Sequence, residues 1–223
     1  MYANMEAAGI LALLCLTAGA SSFRVLNFKS YDRNAKDAFD IMNILMRRRT
    51  SERYMPQSYF QKYGISLSSR LISFSYKNCG DPSTETARLL ELQLSPDPIR
   101  LPGVIQLAFK VINLQRAVSP IQMEVTLWKK VIGMWIRVPC WHNVGSCSYG
   151  DFCGFLDQTP CPKAFHDNNI PCKCPFPTGN YTLPTTEFDV NIPNVPSGDF
   201  CIKVNFKIDS STLSCYEAYF SIA

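Results

Sequence analysis

Tyr149-Gly150-Asp151-Phe152-Cys153-Gly154, followed by His166-Asp167, comes nearest in this sequence to a catalytic constellation. A histidine that activates water, beside an aspartate and backbone carbonyls that hold calcium, would make a metal-assisted hydrolase. The rest of that machinery is missing. No paired cysteines precede His166-Asp167, the loop lacks further glycines, and prolines break the stretch where long helices would be needed. With only two histidines in the chain, His142 and His166, a histidine-based triad has little room. Neither a G-x-S-x-G elbow nor a phosphate-cradling glycine loop occurs. The expectation is a protein that is not an enzyme and uses no cofactor.

The cysteines point to structure rather than reactivity. Of ten, Cys15 lies near the start, residues 16–78 hold none, and nine fall between Cys79 and Cys215. Cys172-x-Cys174 could offer two zinc ligands, but thiolate zinc sites need a second pair at domain spacing, and none exists. No metal is expected. Such density behind an apolar leader reads as a disulfide framework.

These residues need elements to position them. An apolar stretch from Ala7 to Leu16, followed by Ala18-Gly19-Ala20, reads residues 1–20 as a signal peptide, although its start carries Glu6 and no basic residue. Residues 21–70 form a basic extension, with ten Lys/Arg against four Asp/Glu and the run Arg47-Arg48-Arg49. It reads as flexible or processed. Residues 71–223 hold twelve basic against thirteen acidic side chains, so the body lacks the basic patch of a nucleic-acid binder. No apolar run reaches the about 20 residues a spanning helix needs.

From Leu71 onward the apolar period is two. Ile105, Leu107, Phe109 and Val111 alternate with polar or small neighbours, as do Ile121, Met123, Val125 and Leu127. Phe200, Ile202, Val204, Phe206 and Ile208 repeat the habit, and Tyr216, Ala218, Phe220 and Ile222 form a last strand. Half-buried antiparallel strands follow, with turns at Pro96-Asp97-Pro98 and Pro177-Thr178-Gly179. The expected fold class is all-β, an antiparallel sandwich or cup. Val131-Ile132-Gly133-Met134-Trp135-Ile136 looks like an apolar loop for membrane or partner contact, or else a strand edge with Trp135 in the core. Asn180-Tyr181-Thr182 is a glycosylation sequon beside a Pro-Gly turn, which makes Asn180 a candidate glycan site.

Several segments at ordered spacing resemble the ganglioside GM2 activator family of lipid-recognition β-cups (the ML domain). They are Ser73-Phe74-Ser75-Tyr76-Lys77-Asn78-Cys79, Leu94-Ser95-Pro96-Asp97-Pro98-Ile99, Gly133 to Cys140 with Gly145-Ser146-Cys147, Pro171-Cys172-Lys173-Cys174-Pro175-Phe176, and Gly179 to Pro184. The resemblance covers about residues 71–223 and implies strands that enclose an apolar cavity for acyl chains. It also implies disulfides Cys79–Cys215, Cys140–Cys147, Cys153–Cys174 and Cys161–Cys172. Cys201 is left over. Alternation places it opposite Phe200 and Ile202, facing outward, as a free thiol or an intermolecular link.

There are departures as well. The family's second membrane loop carries Trp-Leu after Pro-Ser, whereas here Pro196-Ser197 runs into Gly198-Asp199. Residues 21–70 are foreign to the pattern. Membrane contact would then rest on Val131, Ile132, Met134 and Trp135, with Phe200 where the family has an aromatic at the cavity mouth. The resemblance implies a non-enzymatic cofactor that lifts glycosphingolipids such as GM2 ganglioside from lysosomal membranes and presents them to a β-hexosaminidase, in the lysosome lumen or outside the cell. The rivals are a general secreted lipid carrier or lipid-sensing binder without a glycosidase partner, and a calcium phospholipase built on His166.

Overall fold

The computed structural model describes residues 45, 47, 49–66, 73–141, 143–192 and 195–223. The segment read as a signal peptide, most of the basic extension and His142 lie outside the described residues.

Alternating apolar residues build two antiparallel sheets. β1 (Ser75–Asn78), β4 (Gln122–Val131), β5 (Met134–Val138), β8 (Gly198–Ile208) and β9 (Ser211–Ile222) line up as β1-β9-β8-β4-β5, and the short β6 (Ser148–Tyr149) also pairs with β4. β2 (Ala87–Ser95), β3 (Gly103–Asn113) and β7 (Gly179–Val190) form the second sheet in the order β2-β3-β7. Met123, Val125 and Leu127 on β4 face Ile105 and Leu107 on β3 across one core, as the period-two pattern requires. The protein is an all-β cup.

Two short helices close one flank. α2 (Phe152–Asp157) starts on Asp151, whose carboxylate accepts from the Cys153 N–H and caps the helix. α3 (Lys163–Asp167) follows and sets Phe165 edge-on against Phe109 at 5.8 Å. Neither helix has the length to stand alone, and disulfides hold this corner instead. Cys153–Cys174 and Cys161–Cys172 tie the helical loop down, Cys140–Cys147 closes the loop after β5, and Cys79–Cys215 joins the end of β1 to β9 across 136 residues.

Residues 49–66, which belong to the segment read above as a flexible or processed extension, pack against the β4–β8 end of the larger sheet. Ser51 and the Glu52 N–H both donate to Asp199, and Arg53 pairs with Asp97 at 2.9 Å. One 3-10 turn (Glu52–Tyr54) leads into α1 (Gln57–Tyr63), which ends at Gly64 in the left-handed conformation, φ 63°. We call this segment the strap.

Candidate ligand cavity

The two sheets splay apart and leave a cavity of about 320 Å³ between them. Leu92 and Leu94 of β2, Leu107 and Phe109 of β3, and Ile202 and Val204 of β8 are among the side chains that face it. Among the described residues, no charged side chain lines it. Ala87, Phe109, Val111 and Phe206 are shared with an adjoining apolar space of about 230 Å³, so the void branches toward α2. Volumes of this order hold small-molecule ligands.

Two of its polar groups, the hydroxyls of Tyr76 and Tyr216, are already engaged. β2 bulges between Leu89 and Glu91, and Tyr216 of β9 reaches across to serve the interrupted strand. The Tyr216 hydroxyl accepts from the Leu89 N–H at 2.8 Å and donates to the Leu89 carbonyl at 3.4 Å, linking the two sheets. Burial raises the Tyr216 pKa. A largely apolar pocket with no charged lining among the described residues favours aliphatic chains, at about 0.8 kcal/mol per CH₂ buried.

The hydrolase-like segment does not assemble. Asp151 is taken up by the Cys153 and Ile121 amides and by Ser119, whose hydroxyl bond is the main reason its carboxyl is held low. His166 sits on the outside of α3 with its side chain in solvent, its Nδ1 3.9 Å from Asp167. Cys172 and Cys174 belong to different disulfides. No group of three His, Cys, Asp or Glu side chains suited to a metal occurs among the described residues.

Residues 73–222 match the ML domain. The chain belongs to the ML-domain family. It is 38% identical over 146 residues to a ganglioside GM2 activator of Macaca fascicularis, spanning 63% of this chain and 75% of the relative. A ganglioside GM2 activator of Mus musculus is 33% identical over 156 residues, spanning 66% and 80%. Among solved structures, a Niemann-Pick type C2 protein from Japanese carpenter ant aligns with a TM-score of 0.38 at 16% identity, over 67% of this chain and 99% of the other.

Within this ML domain, the residues singled out for lipid or membrane contact separate into two groups. Val131 is buried at the end of β4. Ile132 and Gly133 form the two-residue turn into β5 with φ 51° and 77°, the signs of a type I′ hairpin. Met134 is 65% exposed and Trp135 37%. Trp135 is neither a free loop residue nor a core residue: it lies on the edge strand, edge-on to Tyr219 at 5.8 Å and beneath the Lys130 ammonium. Phe200 belongs elsewhere. It is buried, stacks on Phe220 at 5.7 Å, and borders a small pit rather than the main cavity. The exposed Asn180 lies on β7, at the edge of its sheet.

Cys201 corrects the expectation of an outward-facing thiol. Alternation does put it on the face away from Phe200 and Ile202, yet it is only 4% exposed. Its cross-strand neighbours Trp128 and Tyr219 share that face, and Tyr219 is tied to Glu217 and Lys77. Burial pushes the Cys201 thiol up to about 12. It is unpaired and shielded, so it cannot bridge to a second molecule without local unfolding. In the chain lacking residues 1–20, a thiol reagent at pH 8 is expected to label no cysteine in the native protein and one in guanidinium, as counted by intact mass.

Sequence reading passed over Lys129. It continues the inward row of Met123, Val125 and Leu127, so its place was legible from alternation. Its amine is buried, donates to the carbonyls of Leu45 (2.6 Å) and Arg47 (3.3 Å), and sits 5.4 Å from the Phe200 ring centre. Burial, with help from Arg49, lowers its pKa from 10.5 to about 8. Below pH 8 the folded state must therefore carry a charge that burial disfavours. Between pH 8 and 10.5 the unfolded chain binds more protons than the folded one, so this term favours folding increasingly as pH rises. Lys129→Met is expected to raise the melting temperature at pH 7, with the gain shrinking from pH 8 to 10.5 in thermal unfolding scans.

Proposed function

We propose that this ML domain is a non-enzymatic lipid-transfer cofactor for glycosphingolipids. The observation that carries the reading is the uncharged cavity between the sheets, in a chain related to ganglioside GM2 activators. Ceramide tails fill the cavity, and the sugar headgroup stays outside it for a β-hexosaminidase, which supplies the paired carboxylates of glycoside cleavage. The β4–β5 hairpin meets the membrane, in the lysosome lumen or outside the cell. Its tip supports this role: a β-branched Ile132 at φ 51° costs about 1–2 kcal/mol, and an asparagine or glycine would relieve it. An apolar side chain held there at such a cost suits a membrane contact.

A leader removed at residues 1–20 and a glycan on Asn180 fit the same setting. The test is hydrolysis of vesicle-borne GM2 by purified β-hexosaminidase, with and without the full chain. Stimulation that is lost in Met134→Ser/Trp135→Ser supports the reading, and no stimulation at any concentration contradicts it.

One observation favours a second reading, a lipid carrier without a glycosidase. The Pro196–Asp199 segment offers no apolar wedge, and Asp199 is buried under Ser51, Glu52 and Ser221. Lipid binding without stimulated hydrolysis would select that reading.

A further inference from the structure

Lys129 is the charged interruption in the inward row of β4, and its surroundings look built for a guest. Leu127, Val138, Phe200, Phe220 and Ile222 form a small apolar pit around it. Leu45 sits in that pit, 2% exposed, and the carbonyls of Leu45 and Arg47 take the ammonium. Among the described residues, no ion pair includes Lys129. Buried ammonium groups are ordinarily neutralised by a carboxylate, because burial of a charge is costly unless it is paired. Here the partners are neutral carbonyl oxygens carried beside an aliphatic side chain.

The pit lies beside the main cavity. Phe220 lines both, and its stack with Phe200 forms the wall between them. The strap, which follows in sequence, is fastened by polar contacts. Glu52 accepts from the Gly133 N–H at 2.6 Å and pairs with Lys130 at 3.3 Å, while Ser51 and the Glu52 N–H hold Asp199. Ile65 packs so closely on Gly133 that a Cβ there would lie 2.9 Å from it. The strap therefore grips the β4–β5 hairpin.

Leu45 and the carbonyls of Leu45 and Arg47 present an aliphatic group with oxygens next to it, which is the outline of a lipid's chain and head. We propose that Lys129 and its pit are the subsite for the anionic head oxygen of a bound lipid (a carboxylate or a phosphate) and that Leu45 and the Arg47 carbonyl act as a built-in plug, displaced when such a lipid enters. An anionic oxygen outcompetes a carbonyl for the ammonium because it also neutralises the buried charge, which a carbonyl dipole leaves unpaired. The lipid's chain takes the place of Leu45 and continues past Phe220 into the cavity. This inference rests on the lipid-binding reading but can fail separately from it.

Binding of oleate, of oleoyl lysophosphatidic acid and of the neutral monoolein is measured by calorimetry on the full chain and on Lys129→Met. Lysine removal is expected to weaken the two anionic probes by roughly tenfold to a hundredfold and to leave monoolein unchanged. Equal effects on oleate and lysophosphatidate show that charge alone is read, and an effect on only one assigns the subsite to carboxylate or to phosphate. In hydrogen exchange, oleate is expected to speed exchange of the amides in residues 49–55, and monoolein is not. Leu45→Lys sets a second ammonium against Lys129 and is expected to open those amides without ligand.

Loss of all three probes to the same degree in Lys129→Met, or unchanged affinity for all, overturns the subsite. Strap amides that stay protected with oleate bound overturn the plug. If the wild type binds none of the probes, the lipid-binding reading falls along with this inference. If it binds anionic and neutral probes alike, only the inference falls.

Discussion

Ala218→Trp is expected to abolish lipid binding while leaving the fold intact. Ala218 sits in the middle of β9, pairs with Tyr76 on one side and Ile202 on the other, and faces the cavity. An indole there fills space meant for an acyl chain. Because the volume exists already, the added ring gains contacts instead of forcing neighbours apart, so the usual overpacking penalty of about 1–3 kcal/mol is not expected. Lipid retained after incubation with vesicles should fall at least tenfold, with an unchanged far-ultraviolet spectrum and a melting temperature no lower than wild type. Ala87→Trp, on the opposite wall, should do the same. Wild-type lipid retention in both variants would place the ligand outside the cavity.

The largest effect on stability is expected from Cys79→Ser/Cys215→Ser. That disulfide closes 136 residues, and the chain-entropy cost of leaving such a loop open is about 5 kcal/mol. Domains have only about 5–15 kcal/mol in total. Denaturant unfolding should show a loss of a third or more of the wild-type stability, or no folded protein at 37 °C. The Cys140–Cys147 bond closes a loop of only 7, so Cys140→Ser/Cys147→Ser should cost distinctly less. Equal costs would mean that loop entropy is not the source.

Alternation carried the fold far. Ile105 and Leu107, Met123 to Leu127, and Phe200 to Val204 lie on the inner faces that period two assigns them. The space between those faces could not be read this way, since a filled sandwich and an open cup alternate identically. Only the distance between sheets distinguishes them, and that is set by the splay of β2 from β9 and by the helical corner. For the same reason alternation placed Cys201 on the outer face but could not say that Trp128 and Tyr219 bury it there. Phe200 shows the limit of a resemblance: in this chain it lies under Leu45, a residue that the shared pattern lacks. The strap was the least legible part. Ser51, Glu52 and Arg53 act through Asp199, Lys130 and Asp97, all far away in sequence, and a run of basic residues gives no local sign of such partners. Lys129 was legible, because a lysine in the register of Leu127 must point inward.

Native mass spectrometry of the purified full chain tests the central claim most directly. A lipid-carrying cup predicts a folded chain with the mass of one bound lipid, removable by organic extraction and restored by incubation with ganglioside-containing vesicles. A folded chain that is lipid-free on purification and remains so after that incubation would contradict it.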